Sequence, residues 1–206
     1  MRPAAVAGLL TLLLTGCAAG GTAPATAPQA EGPGSAVPSA VVPSARVGAP
    51  AASTRVRFPP TSVRLPGGAQ AEVKPASTVA GTLQVPENVR SVGWWDGSAW
   101  VGDPFGTTVI AGHVDSASEG LGYFARLLRI ERGDVVTVAA GRHQARYRVT
   151  SVRTVAKQAL ATSSSAFDQS GDHRLVLITC TGAYDAARGG YASNLVVTAA
   201  PLGPAR

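Results

Sequence analysis

The stretch LVLITCTG at residues 175–182 is apolar at four consecutive positions, Leu175 through Ile178, and then closes on a cysteine. Side chains alternate between the two faces of a strand, so a run apolar at every position predicts a strand buried on both sides. Other short β-type runs surround it, separated by Gly, Pro, Asn and Asp. They fall at 62–65, 81–85, 91–95, 107–112, 134–139, 145–155, 174–180 and 193–200. About eight strands at this spacing predict an all-β sandwich or barrel. Helical periodicity is confined to 122–128, where Phe124, Leu127 and Leu128 recur at three and four residues, and to a possible turn at 163–167. There is no internal repeat and no Gly-rich phosphate loop.

Cysteine is scarce, with Cys17 and Cys180 the only two. The first of them belongs to a leader. Residues 1–21, MRPAAVAGLLTLLLTGCAAGG, carry a positive charge at Arg2, an apolar run at 4–14 and then small residues. That is the layout of a secretory signal, and the run is shorter than the roughly 20 apolar residues a spanning helix needs. Leu14, Thr15, Gly16 and Cys17 resemble a bacterial lipobox. The resemblance implies that 1–16 is a signal peptide removed before Cys17, that Cys17 is lipidated, and that the protein sits at the extracytoplasmic face of the membrane. Lipid chains anchor a protein by hydrophobic transfer, and more than one chain makes the hold stable. Cys180 is then left without a disulfide partner, and an odd thiol in an oxidising compartment points to intermolecular pairing or to a reactive group.

Residues 17–55 are almost wholly Ala, Pro, Gly, Ser, Thr and Val, without aromatics. Such a segment buries too little surface to offset its ordering entropy, so it is expected to be a disordered, Pro-stiffened tether. Residues 56–206 remain, one domain's worth and long enough for a real core. The full chain carries a net charge of +6; loss of 1–16 removes Arg2 and no acid, leaving 17 basic against 12 acidic side chains, or +5. In an exported chain this balance suits solubility or attraction to anionic envelope surfaces rather than a nucleic acid partner.

His113 follows a second apolar run, TTVIAG at 107–112. A thiol is a weak nucleophile until a neighbouring base or cation favours the thiolate, and an imidazole is a recurring partner. Two strand ends can bring Cys180 and His113 to one rim. Taken singly, a lone cysteine reads equally as a small buried hydrophobe and a lone histidine beside Gly as a loop residue.

Taken together, these residues resemble the sortase family. VLITC, ending at Cys180, is similar to the sortase active-site strand, with Val176 where that pattern has a hydroxyl residue. AGHVD, around His113, resembles the sortase histidine segment. VGWW at 92–95, FARL at 124–127, Gly133-Asp134 and YASNLVV at 191–197 follow in matching order. The order and the small size resemble the actinobacterial class F branch, over about residues 57–201. The resemblance implies a closed eight-stranded β-barrel with one or two short helices. It also implies transpeptidation, in which Cys180 attacks an LPxTG-like sorting signal between Thr and Gly to give a thioester that an amine resolves. His113 would protonate the leaving amine and later deprotonate the incoming one. The implied partners are a sorting-signal protein and an amine acceptor, the implied state is a monomer, and no metal or other cofactor is required. The resemblance does not imply a strongly depressed cysteine pKa.

A tetrahedral oxyanion calls for a preorganised donor. Sortases carry an arginine a dozen or so residues past the cysteine, where this chain has Ala192 and Ser193. Arg188 is the local candidate, because Gly189 and Gly190 can let the loop fold back. Arg174 shares a face with Cys180 but lies six residues away, roughly 20 Å along a strand; Arg153 would serve only if the fold brings it near. Asp115 reads as an orienter of His113 or a turn former, and Thr179 should point to the face opposite Cys180. His143 and His173 are assigned no role, and Trp94, Trp95 and Trp100 read as groove lining or as packing. Two other functions stay open: a cysteine peptidase, in which water wins over amine, and a non-catalytic envelope lipoprotein that binds through its surface. The other exported cysteine transpeptidases place Ser-x-Gly-Cys at the nucleophile, and this chain has Ile-Thr-Cys-Thr.

Overall fold

The run at 174–180 becomes the middle of a barrel wall. The structure, a computed structural model, describes residues 54–162 and 164–206. The expected signal peptide 1–16, the lipidation expected at Cys17 and all but the last two residues of the expected tether 17–55 lie outside them. Eight strands close the barrel: β1 (Ser62–Arg64), β2 (Gln70–Ala76), β3 (Val92–Trp95), β4 (Thr107–Ala111), β5 (Val135–Ala140), β6 (His143–Ala156), β7 (Arg174–Asp185) and β8 (Gly190–Pro201). Their order around the wall is β1-β2-β3-β4-β7-β8-β6-β5, and pairing of Ser62 with Ala139 seals β1 to β5. Closure leaves no free sheet edge. The pairs β2–β3 and β4–β7 are parallel and the rest antiparallel.

The closed eight-stranded barrel expected from the sequence is therefore present, with one substitution of members. Residues 81–85 do not join the wall; Thr82–Leu83 pair only with Thr78–Val79 in a two-residue ladder. The missing strand is β2, whose alternation buries Ala71 and Val73 between exposed Gln70, Glu72 and Lys74. The strand carries Pro75, which cannot donate to a ladder. The helical stretch expected at 122–128 is a 3-10 helix, Tyr123–Arg129, that buries Tyr123, Phe124 and Leu127. The turn expected at 163–167 resolves into α1 (Lys157–Thr162) and a 3-10 turn, Ser165–Phe167, capped by the Ser164 side chain.

Strand alternation builds two apolar layers. Inward residues such as Val92, Ile110, Val136, Tyr147, Leu175, Leu177 and Val197 fill the barrel, with Phe124 and Leu127 closing over them. The outward faces of β4, β7 and β8 give Val109, Ala111, Val176, Ile178 and Val196, which are covered by Ala166, Phe167, Leu160 and Trp95. This second layer is why β7 is apolar on both faces.

Candidate active site

Both candidate residues leave the wall at the same end because β4 and β7 run parallel. Ile178 pairs with Ala111, the last residue of β4. One step further, the Gly112 amide donates to the Ile178 carbonyl at 3.1 Å, and the Thr179 hydroxyl donates to the Gly112 carbonyl at 2.9 Å. Thr179 is 2% exposed and points inward, as expected from alternation. Gly112 also faces inward, since a Cβ there would lie 2.8 Å from Val92 Cγ1. Cys180, next on β7, therefore turns to the outer face, at the upper border of the second apolar layer, and His113 follows Gly112 just past the end of β4. Both are half-buried. Among the described residues, no hydrogen bond joins the thiol to the imidazole; catalytic hydrogen bonds are commonly long before substrate arrives.

The backbone that presents His113 is held closely from behind. Gly122 donates to the Val114 carbonyl at 2.8 Å, and a Cβ on Gly122 would lie 2.4 Å from the His113 carbonyl oxygen. Only glycine fits there.

Burial pushes the Cys180 thiol up from its ordinary value; Lys157 pulls it down and Asp115 pushes it up again. Asp115 does not bond to His113. It accepts a 2.6 Å hydrogen bond from the Tyr191 hydroxyl on β8, and that bond, with lesser help from burial, holds the Tyr191 phenol above its usual range. Tyr191 stacks edge-on against Tyr184 across the β7–β8 hairpin.

Arg188 is placed elsewhere. It lies at the hairpin tip, 87% exposed at its side chain, with Nε 3.2 Å from Asp185. Asp185 lies five residues beyond Cys180, past a register shift in β7 between Thr181 and Tyr184. The glycines turn the chain so that Arg188 pairs with Asp185. Arg174 starts β7 and is bound to Asp168, Ser165 and Ser170. Arg153 faces a cavity of about 450 Å3 on the outer wall, beside Val176 and Val196. A larger cleft, about 710 Å3, lies between Leu65, Arg90, Leu121 and Arg129, and neither Cys180 nor His113 lines it. His143 stacks on Phe58, and His173 shares a 2.9 Å hydrogen bond with the Tyr147 hydroxyl. Trp94 is core, Trp95 packs against Phe167, and Trp100 lies beneath Arg57. Among the described residues, no three His, Cys, Asp or Glu side chains gather as a metal site.

Lys157 and Tyr191 were not singled out in the sequence as neighbours of the thiol. Lys157 had a signal, the outward alternation Ser151, Arg153, Val155 continued by one step. The contact of Tyr191 with Asp115 spans 76 residues and had none.

The likeness to known proteins agrees with this architecture. No curated protein matches the sequence. Sortase A from Corynebacterium diphtheriae superposes with a TM-score of 0.54 at 21% identity, over 72% of this chain and 62% of that one. Sortase C1 from Streptococcus agalactiae gives 0.52 at 22%, over 69% and 67%; Listeria monocytogenes sortase A gives 0.53 at 18%, over 73% and 88%. At such identities these structures speak for the fold. A family profile for the sortase domain matches residues 68–202, from the turn before β2 through β8 and including both strand ends, and by that match the chain belongs to the sortase family.

Proposed function

We propose that this chain is a cysteine transpeptidase of the class F type, acting as a monomer outside the membrane on a lipid anchor at Cys17 with residues 17–55 as its tether. Its substrate is an LPxTG-like sorting signal and its acceptor an amine. The observation that supports this reading above all is that Cys180 and His113 follow the paired ends of two parallel strands, Ile178 and Ala111.

The steps follow from that placement. Cys180 Sγ bonds to the Thr carbonyl carbon as its proton passes to His113, and the carbonyl electrons move onto oxygen. The tetrahedral species collapses to a thioester as the C–N bond to Gly breaks and His113 delivers a proton to the leaving amine. An incoming amine then attacks the thioester, His113 takes its proton, and Sγ departs.

The test uses the full chain, an LPxTG peptide library and a small amine, with mass spectrometry for ligated peptide and for acylated Cys180. Both signals are expected. Cys180→Ala should abolish them, and His113→Ala should cut turnover by about 10²-fold or more. Free acid at saturating amine would make the protein a peptidase. A thiol inert to iodoacetamide in the folded chain would leave only a binding module.

A further inference from the structure

If the reading above holds, the oxyanion still needs a positive donor, and Arg188 is engaged with Asp185 at the hairpin tip. We propose that Lys157 is that donor: its ammonium faces the Cys180 centre, holds the thiolate and receives the oxygen of the tetrahedral intermediate.

Strand register brings its backbone near. The outward positions of β6 are Ser151, Arg153 and Val155, all lining the outer cavity, and Lys157, the first residue of α1, follows Val155 by two. Val155 opposes Asn194, and Asn194 opposes Cys180. Lys157 therefore leaves the sheet two residues past the row that carries the thiol. That row spans two strand spacings, about 10 Å.

The side chain also leans the right way. Its Nζ donates to the Gly189 carbonyl at 2.9 Å and lies 4.0 Å from the point where a Cβ on Gly190 would stand. It thus reaches from the end of β6 to the hairpin whose base is Cys180. An ammonium has three N–H groups and Gly189 takes one, leaving donors for an incoming oxygen.

The charged groups acting on the thiol are Asp115, from the segment after β4, and Lys157, and the thiol acts in turn on Tyr191 of β8; His113 follows the adjacent strand end. Of the charges acting on Cys180, Lys157 is the one that favours the thiolate, against both burial and Asp115. A flexible ammonium stem suits a centre in which charge moves from sulfur to oxygen.

The test separates charge from tethering. Lys157→Gln keeps an N–H for the Gly189 carbonyl and removes the charge; Lys157→Arg keeps both. The first readout is the pH dependence of Cys180 alkylation by iodoacetamide in the full chain. Lys157→Gln is expected to shift its midpoint upward and slow labelling at neutral pH several-fold, with Lys157→Arg close to wild type. The second is turnover of the ligated peptide: loss of one oxyanion donor should lower kcat about 10²-fold with little change in KM, and Arg188→Ala should cost less. Wild-type labelling and kcat in Lys157→Gln would overturn the assignment. Equal losses in both Lys157 variants would reduce the residue to a hairpin clamp, and a larger loss in Arg153→Gln would move the role there. If wild type ligates no peptide, the failure belongs to the substrate reading, and the alkylation profiles still decide Lys157.

Discussion

Thr179 shows how one side chain sets the height of the site. Its hydroxyl is buried and bonds the carbonyl of Gly112, the residue before His113, so one contact ties the nucleophile's strand to the imidazole's strand. Thr179→Val keeps the shape and strips that carbonyl of its side-chain donor. The expected cost is about 1–2 kcal/mol, read as a lower denaturation midpoint, with turnover falling several-fold; Thr179→Ser should restore both. Unchanged turnover in a destabilised Thr179→Val would mean that His113 is held by Gly122 alone. At this scale the inward turn of Thr179 was legible because it follows from alternation along one strand, and the adjacent strand-end positions of Cys180 and His113 were legible because each follows an apolar run. The sequence did not carry the placement of Arg188, since the fold of a glycine hairpin depends on its tip ion pair. Nor did it carry the Asp115–Tyr191 bond, which exists only because the barrel brings β8 beside the segment after β4.

Elements with long apolar runs were legible and those with short or small ones were not. β4, β7 and β8 each have one face in the core and one under a cover, so their central runs, 109–111, 175–178 and 195–197, are apolar at consecutive positions. β2 pairs one face with the core and the other with water, using only Ala71, Val73 and Ala76 to do so, and its proline hides the pattern. Residues 81–85 have the composition of a strand but pair only with their own two-residue partner, and spend Leu83 and Val85 as cover for the outer apolar layer. The helix at 123–129 is legible in its buried residues and not in its pitch. Its entry has a testable consequence, because Gly122 sits against the His113 carbonyl. Gly122→Ala forces backbone apart, and backbone cannot yield as a flexible side chain can. The expected result is a loss of about 1–3 kcal/mol and, with it, slower iodoacetamide labelling of Cys180 in the fraction that remains folded. Gly133→Ala, where a Cβ meets nothing but φ is +101°, serves as a control for strain without displacement of His113. It should lower stability and leave labelling alone.

Across the whole molecule, the two ends of β7 carry different chemistry about 20 Å apart. At the Cys180 end titratable groups are half-buried; at the other end His173 is 8% exposed, with Nδ1 unpartnered and its ring hydrogen-bonded to Tyr147. Burial, against a weaker pull from Asp103, holds His173 below its ordinary pKa. The folded protein thus resists a proton that the unfolded chain accepts from about pH 6.5 downward. Stability should be full above that pH and fall progressively as the pH drops toward the folded pKa. His173→Gln removes the titration and retains a hydrogen-bonding group for Tyr147, so its Tm should fall less than that of wild type between pH 7.5 and 5.5. Cys180 labelling at neutral pH should be the same in both, because the barrel wall separates the two ends. Parallel acid losses in Tm would place the sensitivity in the carboxylates instead, and altered labelling would mean that the far end of the barrel is coupled to the thiol.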